Sequence, residues 1–240
     1  MINIIIFSKD NPMRLYATME SIGVFYPDHP VVIGYCKYTN HKACEGYNLI
    51  EDMFLMEPFR VDFQCGDFSD NFDKALEYLD FEYTLFLTDR CLMTDKFNLD
   101  NVISKINVGN TIGHSLCMNE ITNMHTDTIG YVNKNVLSSV DWLNGVVIKT
   151  SDIPDHHCKT FNEFRDRLFY RLNKESSKMF LSYDQKSCVC NVKEWDGVEN
   201  NVMTQYFLDG HKIDIKPFYF IEGDPVNNRV IENYNLVWRE

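Results

Sequence analysis

The chain has no run of about 18 apolar residues, so it lacks a stretch of the length and hydropathy that a membrane-crossing helix needs. It has no Cys-x-x-Cys pair. Its eight cysteines, Cys36, Cys44, Cys65, Cys91, Cys117, Cys158, Cys188 and Cys190, are scattered, and several sit in apolar runs. They read as small buried hydrophobes with free thiols in a reducing compartment. No G-x-G-x-x-G occurs, which argues against a dinucleotide crossing close to the backbone, and no G-x-x-x-x-G-K-[ST], which excludes a P-loop. Basic residues are short as well: 23 Lys and Arg stand against 35 Asp and Glu, a net charge of -12. That balance disfavours binding to duplex nucleic acid, which requires cations to displace counterions, but it leaves room for a local basic pocket. Low complexity, internal repeats and a Pro/Gly/Ser linker are all missing, so a single unit over residues 1–240 is expected. Met1 to Ile6 is apolar but too short for a signal peptide and has no basic leader, which predicts a cytoplasmic protein.

What is present alternates between strand and helix signals. Ile2 to Phe7 is a near-continuous apolar run, the pattern of a strand buried on both faces. Asn11 and Pro12 then open a helix, Asn as cap and Pro in the first turn, with Leu15, Met19 and Ile22 at helical spacing. Val31 to Tyr35 is a second strand, which makes a βαβ unit with parallel strands. Helices are expected over Ala43–Met53, Asp70–Leu79, Asn98–Ile106 and Asn200–Leu208, the last ended by Asp209-Gly210. Thr160-x-x-Glu163 is a capping box ahead of Phe161, Phe164, Leu168 and Leu172. Strands are expected at Tyr83–Asp89, Thr111–Met118 and Gly145–Ile148, with strand and loop alternating after Lys212.

Three places can carry chemistry. The loop Ser8-Lys9-Asp10-Asn11-Pro12-Met13-Arg14 follows the first strand and faces a helix N-terminus, where open α/β sheets bind nucleotides. Lys9 and Arg14 can pair with phosphates there, or be solvated bases on a turn. Tyr83 to Arg90 is an apolar strand that delivers Asp89 to its C-terminal end, and a carboxylate there can ligate a divalent metal or simply cap a turn. Asp95 is a second, weaker acidic candidate. Asp141 beside Trp142 suits carbohydrate, with the ring stacking on a sugar and the acid taking a hydroxyl proton; a buried Trp before the Asn144-Gly145 turn is the other reading. Asp155-His156-His157-Cys158 spells the motif of protein S-acyltransferases, but the chain lacks their membrane spans and zinc domain. Adjacent His-His-Cys cannot readily converge with Cys188, Cys190 and His211 on one tetrahedral ion, so no structural zinc is expected.

Taken in order, these segments resemble the GT-A glycosyltransferases, in particular a family-2-like group of bacteria and large viruses. The resemblance rests on Asn11-Pro12-Met13-Arg14-Leu15, Gly46-Tyr47, the strand Tyr83–Asp89, His114-Ser115-Leu116, the stretch Asp141–Ile153, Asn200-Asn201-Val202, and Phe207-Leu208-Asp209-Gly210 followed by Ile213-Asp214. It implies an α/β GT-A fold with a mixed, mostly parallel central sheet flanked by helices, residues 1–110 forming a nucleotide-binding half and 111–240 an acceptor half. It also implies a nucleoside-diphosphate sugar donor with uridine favoured as base, a glycan or glycoconjugate acceptor, inversion, and Mn²⁺ or Mg²⁺. Phe7, Ser8, Lys9, Asp10, Arg14, Asp89 and Arg90 would contact the donor, Asp89 would ligate the metal, and Asp141 would be the general base, with Glu120 and Asp152 next. The chain departs from the pattern where the acidic pair becomes Thr88-Asp89-Arg90 and where Cys117 replaces an arginine. A sugar-1-phosphate nucleotidyltransferase, a sugar transferase acting on modified DNA and a non-catalytic nucleotide-sugar-binding module remain as alternatives.

Overall fold

The computed structural model of the protein describes residues 1–27, 31–54, 60–65, 68–107, 111–117, 131–133, 142–154, 158–174, 180–183, 188–192, 199–219, 230–231 and 234–239. The first part of the chain alternates strictly: β1 (Asn3–Lys9), α1 (Pro12–Phe25), β2 (Val31–Lys37), α2 (His41–Phe54), β3 (Arg60–Cys65), α3 (Phe68–Glu77) and β4 (Tyr83–Thr88). Next come β5 (Cys91–Met93), α4 (Leu99–Asn107), β6 (Thr111–Ser115), β7 (Tyr131–Asn133) and β8 (Val146–Lys149). The remainder is α5 (Phe161–Lys174), β9 (Phe180–Tyr183), β10 (Val189–Val192), α6 (Asn200–Leu208), β11 (His211–Ile213), β12 (Val230–Ile231) and β13 (Leu236–Trp238).

Eight of these strands form one sheet in the order β3-β2-β1-β4-β8-β6-β9-β7. The block β3-β2-β1-β4 is parallel throughout. β8 runs antiparallel to both β4 and β6, and β7 runs antiparallel to β9, while β6 and β9 are parallel to one another. The result is a mixed, mostly parallel sheet with helices on its faces. No strand is expected from the sequence over Arg60–Cys65; the structure places β3 there, at the sheet edge.

The apolar run of β1 splits between two cores. Ile4 and Ile6 pack with Leu85, Leu87 and the inner face of α1, whereas Ile5 and Phe7 pack with Phe86, Phe72 and the α5 residues Phe164 and Leu168. Alternate residues serve opposite faces of a strand, so a strand covered on both sides must be apolar at every position. No disulfide joins the seven cysteines whose side chains are described, and most of them are buried. Among the described residues no helix is long and apolar enough to cross a membrane.

Sheet direction decides what can meet what. Asp89 follows the C-terminal end of β4, and its N–H donates to the carbonyl of Phe7 at 2.9 Å, beside the end of β1. The amide of Gly145 donates to Phe86 at 2.9 Å, so the chain enters β8 at this same end. It leaves at the other: Lys149 is opposite Tyr83, and Thr150 bonds Asn3 and Thr84 at the N-terminal edge.

Candidate functional site at the carboxyl edge of the sheet

A cleft of about 590 Å³ opens where β1, β2 and β4 end, lined from six separate segments by residues that include Ser8, Lys9, Asp10, Arg14, Lys37 and Asp89. Arg90, the N-terminal turn of α5 (Thr160, Phe161, Asn162) and Asn200 at the start of α6 complete its rim. All seven residues expected to contact a donor therefore lie along one cleft.

The loop after β1 is held by a chain of hydrogen bonds. The amide of Asn11 donates to the Tyr47 hydroxyl at 3.2 Å, and Tyr47 is 2.8 Å from Ser8 Oγ. Ser8 in turn donates to Asp89 Oδ2 at 2.8 Å. Since the single Ser8 proton goes to the carboxylate, Tyr47 must be the donor to Ser8. Burial, with smaller contributions from the negative charge of Cys36 and Asp89, holds the Tyr47 hydroxyl well above its usual pKa, so it keeps the proton that this relay requires. Tyr47 reaches the loop because Gly46 lets α2 lie against α1: a Cβ on Gly46 would stand 2.5 Å from Pro12 Cγ. The Gly46-Tyr47 pair thus has a physical role that the sequence does not disclose. Replacing Tyr47 by Phe leaves the Asn11 amide and Ser8 Oγ each short of a partner, a loss of about 1–3 kcal/mol. Thermal unfolding of Tyr47→Phe should show a midpoint lowered by roughly 2–4 °C for each kcal/mol; an unchanged midpoint would remove the relay from the account.

Asp89 is half-buried, and its two oxygens differ. Oδ2 accepts from Ser8 and, at 3.3 Å, from the Lys9 amide; among the described residues Oδ1 accepts nothing. Burial pushes the carboxyl above the ordinary carboxylate range, against the pull of the Ser8 hydrogen bond, the Arg14 guanidinium, the Lys9 amide and Arg90. Arg14 is only 4% exposed although it lines the cleft, and its Nε meets no acceptor among the described residues. Its backbone amide is taken by the Asn11 cap, and Asn11 Nδ2 also donates to Asn200 Oδ1 at 3.1 Å, which ties α6 to this loop.

The structure gives several of the expected residues other partners as well. Asp10 adopts φ 53°, a left-handed conformation that Asp tolerates better than most residues, and its carboxylate accepts from the Thr39 amide and hydroxyl at 2.5 and 2.9 Å. Its carboxylate therefore braces the loop against the segment after β2. Phe7 is 6% exposed, and its ring lies among Phe72, Phe86 and Phe164. The half-buried Phe161, with its centroid 4.6 Å from that of Phe7, is the ring set closer to solvent at the cleft. Trp142 is buried against Phe169 and belongs to the core, so it is not available to stack on a sugar. Asp95 accepts from the Lys96 amide at 2.7 Å and does not line the cleft. Asp152 follows Thr150 at the N-terminal edge, across the sheet from Asp89, so it cannot serve this cleft as a base. Asp141, Glu120, His156 and His157 lie outside the described residues.

The expected metal at Asp89 can be tested against this geometry. Mn²⁺ or Mg²⁺ takes about six ligands, oxygen preferred. The described cleft offers one open carboxylate oxygen, with Asp10 engaged elsewhere and Arg90 in the neighbouring position. Among the described residues no three His, Cys, Asp or Glu side chains come together as a metal-binding group. Among the described residues the carboxylate oxygens are too few to hold a resident divalent ion by themselves.

What sequence reasoning missed is Tyr47, Lys37, Asn200 and the α5 turn. The Thr160–Glu163 capping box does form, with the Glu163 amide donating to Thr160 Oγ1 at 3.1 Å and the Lys159 amide to Glu163 at 2.8 Å. It marks where α5 starts, not where that start points.

No protein-family profile matches the chain, and no curated protein matches it in sequence. Solved structures do. A crystal structure of S. aureus TarS residues 1–349 superposes with a TM-score of 0.52 at 11% identity, covering 79% of this chain and 60% of that one. A longer TarS structure gives 0.53 at 11% identity, covering 79% of this chain and 36% of TarS. The 1–349 fragment in complex with UDP-GlcNAc gives 0.46 at 10% identity, over 77% of this chain and 59% of the other. This chain thus spans less than two thirds of the TarS chains it matches. The shared architecture is the GT-A fold, a mostly parallel mixed sheet flanked by helices.

Proposed function

We propose that this GT-A chain is a glycosyltransferase that moves a sugar from a nucleoside-diphosphate sugar, with uridine as the favoured base, to a hydroxyl of a glycan or glycoconjugate. One observation carries the reading: a buried, cleft-lining arginine faces the same space as a carboxylate with an open oxygen, at the carboxyl edge of a parallel sheet. That edge is where open α/β sheets take their ligands. The S. aureus fragment with the same fold has been crystallised with UDP-GlcNAc, which supports a nucleotide-sugar donor.

In this reading the diphosphate lies near Lys9 and Arg14, whose charges stabilise the leaving group as its bond to the anomeric carbon breaks. Asp89 Oδ1 accepts a hydroxyl hydrogen of the donor. Asp141 takes the proton of the acceptor hydroxyl, whose oxygen attacks the anomeric carbon from the opposite side, so configuration inverts. Phe161, half-buried at the rim, packs against the base. The replacement of an acidic pair by Asp89-Arg90 favours a second reading, a module that binds nucleotide sugars without turning them over. Release of free UDP from a panel of UDP-sugars, with oligosaccharide acceptors added, separates the two. Transfer product with stoichiometric UDP is the expected result. Donor binding without UDP release would leave only the binding module.

A further inference from the structure

We propose that the cleft binds the donor diphosphate without a divalent cation, its charge being met by Lys9, Arg14, Lys37 and Arg90. This rests on the nucleotide-sugar reading and specifies how that site holds its donor.

The charges of the lining residues come first. Lys9, Arg14, Lys37 and Arg90 face two carboxylates, Asp10 and Asp89, so the described lining carries an excess of two positive charges. A diphosphate esterified at both ends carries one negative charge on each phosphoryl group, so the two balance. This excess sits in a chain whose net charge is -12. A positive cleft in an acidic protein concentrates an anion at that one place.

The placement of individual groups points the same way. Arg14 is 4% exposed, and its Nε has no acceptor among the described residues. A buried guanidinium with an unmet donor is costly, and a phosphate oxygen is the partner whose geometry and charge suit it. The first turns of α5 and α6 also border the cleft, and helix N-termini favour anions. Asp10 has turned its carboxylate to Thr39, and Asp89 has committed Oδ2 to Ser8 and Lys9. A divalent ion would therefore find a single open carboxylate oxygen among the described lining residues, in a cleft where Arg14 and Arg90 repel it. The same two cations attract the phosphates directly, as a metal would.

The test is titration calorimetry of the whole chain with UDP and with UDP-GlcNAc, once in EDTA and once in Mn²⁺. The expected dissociation constants agree within about threefold in the two conditions. Arg14→Met should weaken binding in EDTA by about tenfold to a hundredfold, the scale of a lost charge-assisted hydrogen bond. Arg90→Asp reverses the charge next to Asp89; it should weaken binding in EDTA and make it respond to Mn²⁺. This readout does not depend on Arg14→Met folding well. Binding that EDTA abolishes and Mn²⁺ restores in the unmodified chain would overturn the proposal and leave the nucleotide-sugar reading standing. Absence of binding in both conditions would overturn both.

Discussion

Asp89→Asn is expected to weaken donor binding by about tenfold to a hundredfold while making the folded chain more stable at neutral pH. The loss follows from Oδ1, a charged acceptor open to the cleft, which an amide replaces only in part. The gain follows from burial, which raises the Asp89 carboxyl above its ordinary value. A carboxyl whose folded pKa exceeds its unfolded one is harder to ionise in the folded state. Its stabilising contribution is complete below the unfolded pKa of about 3.9 and is lost as pH rises through the folded pKa. Asparagine carries no such penalty, and its amide oxygen can still accept from Ser8. The unfolding midpoints of the two proteins should therefore coincide in acid and diverge toward neutral pH, with the variant higher. Thermal scans over a pH series, paired with UDP titrations, check both halves. A variant that is less stable at pH 7 would mean that the hydrogen bonds to Asp89 outweigh its desolvation. Unchanged UDP affinity would take Asp89 out of the donor site.

Asp141→Asn should leave donor affinity intact and lower transfer by about 10²–10⁴, the usual worth of a general base. The chain reaches β8 through Gly145, bonded to Phe86 three residues before Asp89, so residues 142–145 arrive at the cleft end of the sheet. A base on the acceptor side does not touch the diphosphate, which is why affinity and turnover should separate. Hydrolysis of the donor by water should fall less than transfer, because water needs less exact positioning than a sugar hydroxyl. Calorimetry with UDP and a coupled assay of UDP release, with and without acceptor, give the three quantities. Parallel loss of affinity and transfer would place Asp141 at the donor or in the scaffold. Full transfer would pass the role to Glu120, since Asp152 sits at the wrong edge.

Much of the fold could be read from the sequence because its signals are local. Asn11-Pro12 caps α1, Thr160 and Glu163 form their capping box, Asn200–Leu208 is a helix to the residue, and the apolar runs of β1 and β4 are strands. Each of these is fixed by steric and hydrogen-bonding preferences among residues a few positions apart. The first βαβ unit also follows, because parallel neighbours require a right-handed crossover. Ser8, Lys9, Arg14, Asp89 and Arg90 could be named as cleft residues because strand ends are predictable and ligands collect there.

The tertiary structure decided the rest. Trp142 is as apolar in sequence as any ligand-stacking ring; only packing against Phe169 shows that it is spent on the core, whereas Phe7 packs on Phe164 and also borders the cleft. Asp10, Asp89 and Asp152 are equivalent carboxylates until the fold turns the first toward Thr39, leaves the second with an open oxygen and puts the third across the sheet. Lys37, Arg90, the α5 turn and Asn200 line one cleft with Arg14 because β1, β2 and β4 are neighbours and two distant helices begin beside them. The type of each residue is local information, but its partner depends on strand order and direction, which bring together segments nearly 200 positions apart, as between Asn11 and Asn200.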